Sequence, residues 1–243
     1  ELGDEEFDRL TRDQIDAVSA DIALDNLGLD EQGKETLKGC DIVIHSAAAV
    51  SFDEPLDRAV EVNLMGPVRL VALLKELNIN PHLVMVSTCY VAGSRKGDAP
   101  EQALTSSPFY VPIDWNDEIH AARRTRSYVE DASRRPNNLE SFRNSARAEL
   151  GAAGTPALAK KTEQLRERWV KNQMVEAGRN RANSIGFPDA YAFTKAMSEQ
   201  AVEETRSQIP LTIVRPSIIE SSWKSPTSGW IRGFRMAEPI ILN

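Results

Sequence analysis

The residues in this chain whose types and spacing could do chemistry are Tyr191 and Lys195 in Tyr191-Ala-Phe-Thr-Lys195, the hydroxyls of Val86-Ser87-Thr88, and Asn63 inside an apolar repeat. A tyrosine and a lysine four apart lie on one face of a helix, so an ammonium can sit beside a phenol and favour its ionised form. That pairing makes Tyr191 a proton donor near neutral pH. Taken alone, the spacing is common, and its ordinary meaning is an aromatic ring packed under a lysine stem. The segments on either side decide between the two readings.

Those segments alternate between strand and helix. Ile15–Ile22 reads as a short strand, Leu24–Lys38 carries turn and helix signals, and Cys40–Ala49 is a run of β-branched residues passing into small ones. A strand end made of Ser and Ala lets a nucleotide approach the backbone closely, or a helix pack tightly there. Pro55–Leu77 repeats its apolar residues with a period near 3.6 and is interrupted at Gly66-Pro67. His82–Val86 has the character of a strand buried on both faces of a parallel sheet. Gly93–Pro112 reads as loop. From Asp114 to about Asn183 the pattern is helical, divided into three by Pro136 and the Gly151–Pro156 cluster. The helix bearing Tyr191 and Lys195 runs to about Gln208, and Leu211–Val214 is a further strand ending in Arg215-Pro216-Ser217.

This rhythm predicts a Rossmann-like, doubly wound α/β fold, in which ligands bind at the carboxyl ends of parallel strands. Asp21, Ala47 to Ala49, Ser87-Thr88 and Pro216 all fall at such ends. The division expected is a partial dinucleotide-binding domain over 1–113, a helical insert over 114–185, and over 186–243 the rest of that domain with the start of a substrate-binding region. No Gly-x-x-Gly-x-x-Gly follows a strand, and the last residues, Pro239–Asn243, are apolar without a stop signal. Both ends therefore read as cut, with the first strands and the Gly-rich turn missing.

Composition narrows the function classes. The chain has 243 residues, 41% hydrophobic and 27% charged, which suits one large soluble domain with its own core. Its start, Glu1-Leu2-Gly3-Asp4-Glu5-Glu6, is acidic where a signal peptide would be basic, and no apolar run approaches the ~20 residues of a membrane span. A cytoplasmic protein is expected. Cys40 and Cys89 fit no metal spacing and His45, His82 and His120 are scattered, so no metal is assigned. The net charge of −7 conceals a basic island: Ala121–Arg181 holds 14 Lys plus Arg against 7 Asp plus Glu.

Four segments resemble the extended short-chain dehydrogenase/reductase superfamily, and within it the fatty acyl-CoA reductases of the male-sterility type. They are the run from His45 to Asp53, Val62-Asn63-Leu64-Met65-Gly66, the run from Val86 to Val91, and the run from Arg215 to Trp223 with Gly229-Trp230-Ile231. The last is the most specific. Residues 17–95 and 186–235 carry the likeness, and the insert matches only the habit of bacterial members of placing a long segment before the tyrosine.

The resemblance implies a general acid at Tyr191, and a lysine, Lys195, that holds the nicotinamide ribose and depresses the tyrosine pKa. It implies an oxyanion-binding hydroxyl at Thr88, with Ser87 the neighbouring candidate, since only one of the two can face the site. Asn63 would help orient the lysine. Asp21 and Ile22 would contact adenine, Ala47, Ala48 and Ala49 would line the dinucleotide, and Pro216, Ser217 and Ile218 would close over the nicotinamide. NADPH is the implied cofactor and a long-chain fatty acyl-CoA the implied substrate, reduced to the aldehyde, with aldehyde or alcohol left open as the end product.

Each residue also has a plainer reading. Asn63 could cap a broken helix, Thr88 could satisfy a loop, and Asp21 could close a turn. For the basic island, Arg123, Arg124, Arg126, Arg134 and Arg135 would attract CoA phosphates or an acidic acyl carrier protein. The competing reading is a solvated helical hairpin with pairs such as Glu163 and Glu167 against Arg166 and Lys171. Weak peripheral contact with an anionic membrane is a third, and no nucleic acid is expected; oligomeric state stays open. The competing functions are an extended reductase acting on a sugar nucleotide, sterol or carrier-bound thioester, and a non-catalytic nucleotide-binding module.

Overall fold

A computed structural model describes residues 9, 11–12, 14–151, 154–219, 221–224 and 227–230. Glu220 and Ile231 of the Arg215–Ile231 motif, the Pro239–Asn243 stretch and residues 1–8 of the polar lead-in lie outside them.

Three short strands form one parallel sheet in the order β1 (Ile42–His45), β2 (His82–Val86), β3 (Leu211–Val214). Ile42 pairs with His82 and His45 with Met85, while Leu83 pairs with Leu211 and Val86 with Val214. Alternation along β2 sends Leu83 and Met85, 0% and 1% exposed, into a core with Leu70, Val71, Leu73 and Leu74 of α3 (Met65–Glu76) and Val202 of α7 (Ala190–Thr205). The opposite face differs from the doubly buried sheet expected: Ile42 and Ile44 are 60% and 66% exposed, and Val214 is 46% exposed.

Ahead of the sheet, α1 (Glu31–Lys38) starts on Asp30, whose carboxylate accepts the Gly33 N–H at 2.8 Å. The strand expected over Ile15–Ile22 does not form. A strand needs a ladder partner, and the described residues offer this segment none. It ends in a closed turn instead: the Asp21 N–H donates to the Leu27 carbonyl at 2.8 Å, and the Asp21 carboxylate accepts the Ala23 N–H at 2.9 Å.

Gly66-Pro67 does not interrupt its helix either. Helical backbone runs from α2 (Leu56–Ala59) through one π-helical turn (Val60–Leu64) into α3. Pro67 falls in the first turn of α3, just after the wider turn, where a missing N–H is tolerated.

Three helices fill the stretch between β2 and α7. They are α4 (Trp115–Ser133), α5 (Pro136–Leu150) and α6 (Thr155–Ser184). The Asp114 carboxylate caps α4 by accepting the Asn116 and Asp117 N–H groups, and Pro136 opens α5. The second apolar core joins this block to the sheet-bearing part: Ile119, Ala122 and Val129 of α4 and Val170 and Met174 of α6 pack with Leu56, Val60, Leu64, Phe193 and Met197. No helix among the described residues is long and apolar enough to cross a membrane.

Gly178 permits a close approach in that core. A Cβ there would lie 3.1 Å from the Ala190 Cβ and 3.3 Å from the Leu56 Cβ, so α6 meets both α7 and α2 backbone to backbone. Gly178→Leu overpacks this crossing and is expected to lower the free energy of unfolding by roughly 1–3 kcal/mol, read from the urea midpoint at unchanged m-value.

Candidate active site

The helix α7 carries the site and is buried almost all round. Asp189 caps its start by accepting the Ala192 N–H at 2.8 Å, and every residue from Ala192 to Val202 is buried. Lys195 is thereby pressed under the sheet end at 3% exposure, where its Nζ donates to the Val86 carbonyl at 2.8 Å. Burial pushes its pKa down to about 8 against the opposing pull of Glu199. One turn earlier Tyr191 is half-buried at the surface of the site. The Phe52 ring stands edge-on to it at 6.0 Å, and to Tyr90 at 6.5 Å.

Thr88 is fixed between two ladder bonds, Ser87 N–H to the Val214 carbonyl at 2.7 Å and Cys89 N–H to the Pro216 carbonyl at 3.0 Å. Its hydroxyl accepts the Tyr90 N–H at 3.3 Å and acts on the Tyr191 phenol to favour its ionised form. Ser87 has its hydroxyl buried without a protein partner among the described residues. Ser87 and Thr88 are both 3% exposed. The exit of β2 and the entry of α7 are drawn together at Gly93, whose φ of +71° only glycine adopts easily and whose Cβ would fall 2.6 Å from the Gly186 carbonyl oxygen.

One expectation is reversed. The Tyr191 phenol lies above its ordinary pKa, because burial outweighs the hydrogen bond from Thr88 that pulls it down. Lys195 does not depress it, since its ammonium is aimed at the Val86 carbonyl rather than the phenol.

Asn63 occupies the π-helical turn at 1% exposure and neither caps a helix nor touches the lysine directly. Its amide oxygen accepts the Ala49 N–H at 2.8 Å, and its Nδ2 donates to the Ala49 carbonyl at 3.0 Å and to the Thr194 hydroxyl at 3.2 Å. It clamps the small-residue strand end to the helix bearing Lys195. Ala47 is exposed there, with Ala48 and Ala49 half-buried. Asp21 is exposed in its turn, and Ile22 packs against Gly66 and accepts a hydrogen bond from Arg69 at 3.3 Å. Past β3, Pro216 is half-buried while Ser217 and Ile218 are exposed.

The arginines of the insert are largely engaged. Arg123 bonds Glu61 at 2.6 Å, Arg126 reaches Asp57 and Glu130, and Arg134 bonds Glu130 at 2.6 Å. Arg135 stacks on Tyr128, and Arg124 is exposed. The pair expected between Glu163 and Arg166 is present, with Arg166 buried and also bonded to Glu130 and Ser133. Arg179 of α6 bonds Asp53, next to Phe52, at 2.9 Å.

Two residues near Lys195 stand outside the expected set of site residues. Glu199, one turn beyond it, is legible as the next i+4 step of the same helix face. His45, at the end of β1, is 7% exposed with neither ring nitrogen bonded to a partner among the described residues.

Parallel strands ending in small residues and hydroxyls, with a buried lysine beneath, are the architecture of a nucleotide-binding α/β domain. The chain belongs to the male sterility protein family, whose model matches residues 2–242, and it is an NAD(P)-binding domain. It is 33% identical over 226 residues to fatty acyl-CoA reductase 2, chloroplastic, of Arabidopsis thaliana, covering 93% of this chain and 33% of that protein. Fatty acyl-CoA reductase 8 of the same plant is 31% identical over 99% of this chain and 44% of its own length. The alcohol-forming fatty acyl-CoA reductase of Simmondsia chinensis is 29% identical, over 93% of this chain and 39% of its own. The chain thus spans a third to under half the length of these relatives. Among solved structures, the terminal R domain from the myxalamid PKS-NRPS biosynthetic pathway superposes with a TM-score of 0.51 over 92% of this chain and 39% of that one, at 18% identity, a likeness of fold.

The buried His45 makes stability depend on pH. Burial, and secondarily the charge of Lys195, lower its pKa from 6.5 to about 4. Between those values the unfolded chain takes up a proton that the native ring refuses, so stability falls as pH drops from 6.5 towards 4 and falls no further below. The loss should total about 3 kcal/mol, and His45→Gln should remove that component in urea titrations at pH 7 and pH 4.

Proposed function

We propose that the full-length polypeptide reduces a long-chain fatty acyl-CoA to the aldehyde and, with a second equivalent of reductant, to the fatty alcohol, using NADPH. The observation that carries this reading is the buried Lys195, bonded to the Val86 carbonyl at the end of a parallel sheet, with Tyr191 one turn earlier on the same helix and Thr88 two residues beyond Val86. The printed names of the relatives supply the substrate class.

The residues suit the nicotinamide end of a dinucleotide. Small side chains at Ala47 to Ala49 leave the strand-end backbone approachable, Lys195 has N–H donors beyond the one spent on Val86, and Pro216 to Ile218 lie beside Cys89. Asp21 and Ile22 are assigned to the adenine end. When bound, the nicotinamide supplies the hydride, which adds to the thioester carbonyl carbon. Thr88 and Tyr191 hold the carbonyl oxygen, and Tyr191 gives it a proton as negative charge develops. The raised phenol pKa keeps that proton in place before hydride arrives. The hemithioacetal then collapses, its hydroxyl returning the proton to the Tyr191 phenolate as the C–S bond breaks to release CoA thiolate and leave the aldehyde. Lys195 serves as a fixed positive charge for the ribose, and Asn63 holds the strand end in register with the lysine helix.

Acyl-CoA is preferred over an acyl carrier protein as substrate on the names of the relatives, and three of the five arginines that would attract either already bind carboxylates. We assign residues 1–113 and 186–243 to nucleotide binding and 114–185 to an insert anchored on them.

In the full-length polypeptide, NADPH oxidation with a long-chain acyl-CoA is expected, with Tyr191→Phe cutting kcat by about 10²–10⁴-fold at little change in NADPH affinity. No turnover despite NADPH binding would move the assignment to another carbonyl substrate, and equal rates with NADH would remove the preference for NADPH. In the wild type kcat/KM should fall as pH rises through about 8, where Lys195 loses its charge. Lys195→Arg, which keeps its proton, should abolish that alkaline limb in the residual activity.

A further inference from the structure

Tyr191, Lys195 and Glu199 follow one another at four-residue intervals along α7, and the third has no part in the chemistry just described. Glu199 is 2% exposed, a carboxylate that would be costly to bury without a partner. Its partner comes from the far end of β3. Arg215 Nε donates to both Glu199 oxygens at 3.0 and 3.2 Å, and Nη2 to one of them at 2.6 Å. The remaining arm, Nη1, donates to the Gln102 carbonyl at 2.9 Å. One guanidinium therefore ties three elements together: the helix of Tyr191 and Lys195, the segment Pro216 to Ile218, and the loop around Gln102.

The position of Arg215 matters as much as its bonds. The next residue, Pro216, accepts the Cys89 N–H, and the preceding one, Val214, accepts the Ser87 N–H, so Thr88 is bracketed by the residues on either side of Arg215. Resting on the functional reading above, we propose that Glu199 and Arg215 form a clasp that positions Thr88 and the Pro216–Ile218 segment against the Tyr191–Lys195 face, making both positioning residues for nicotinamide binding. The clasp is fork-shaped and bidentate, so a lysine at 215 would keep the charge and lose the geometry. It also feeds a negative charge towards Lys195. The charged and titratable groups that meet Lys195 are Glu199, with Arg215 behind it, and His45 from β1. Of these only Glu199 favours the ammonium.

The test uses the full-length polypeptide and NADPH itself, with binding followed by nucleotide fluorescence so that the result does not depend on the acyl substrate. Arg215→Lys is expected to weaken NADPH binding at least fivefold with the alkaline limb of kcat/KM unmoved; affinity within twofold of wild type would overturn the proposal. Glu199→Gln alone should destabilise the fold, since it removes the buried carboxylate that the Arg215 guanidinium grips, and should move the alkaline limb to lower pH. The double variant Glu199→Gln/Arg215→Gln removes both charges. If the pair is only structural, the double variant regains both the urea midpoint and the NADPH affinity, which would also overturn the proposal. A clasp predicts recovery of the midpoint with NADPH binding still at least tenfold weaker. Should turnover with acyl-CoA be absent in the wild type while these affinities follow the predicted order, the substrate assignment fails and the clasp stands.

Discussion

Holding an ammonium under the end of a parallel sheet is the demand around which this structure is arranged. Lys195 lies on a helix with no exposed face over most of its length, and a charge in that position needs fixed partners. The Val86 carbonyl supplies one at the last residue of the central strand, and Glu199 supplies the opposite charge a turn further along. Glu199 in turn needs Arg215, and Arg215 draws in the end of β3 and the loop at Gln102. Asn63 does comparable work on the other flank, binding both backbone groups of Ala49 and the hydroxyl beside Lys195. The ends of three strands are held where they are by polar groups that have nowhere else to go.

Tyr191 answers to a different balance. It sits where the same helix reaches the edge of the core, so its ring is only half covered, and burial raises its pKa with no cation to oppose it. A tyrosine kept protonated suits a donor that must wait for charge to develop on its partner. The aromatic ring of Phe52, braced through its neighbour Asp53 by Arg179 of the insert, narrows the approach to it.

Much of this was readable from residue types. The strands β1, β2 and β3, the helix of Tyr191 and Lys195, and the small or hydroxylated strand ends announce themselves by periodicity and by the abrupt change of residue size, because those signals are local. What was misread depended on distant partners. Ile15–Ile22 has the composition of a strand but no neighbour to pair with among the described residues. Gly66-Pro67 carries a break signal that one π-helical turn absorbs. The four-residue spacing of Tyr191 and Lys195 correctly put both on α7, yet spacing says nothing about which way an ammonium turns when a buried carbonyl lies 109 positions away in sequence. The basic island was visible as composition, whereas its neutralisation by Glu61, Asp57 and Glu130 requires knowing which helices touch.

The placement of the insert bears on how the chain reaches this state. Thr88 and Tyr191 are 103 positions apart, so bringing them together closes a long loop whose entropic cost must be met before their contact returns anything. The helices α5 and α6 contact each other through a short connection and can form early and locally, and a folded insert shortens the loop that remains to be closed. Assembly of the reactive pair is then a late event, dependent on the docking of α4 and α6 against α2 and α7. A ribosome-bound chain would carry its strand-end hydroxyl long before it carried the phenol to meet it.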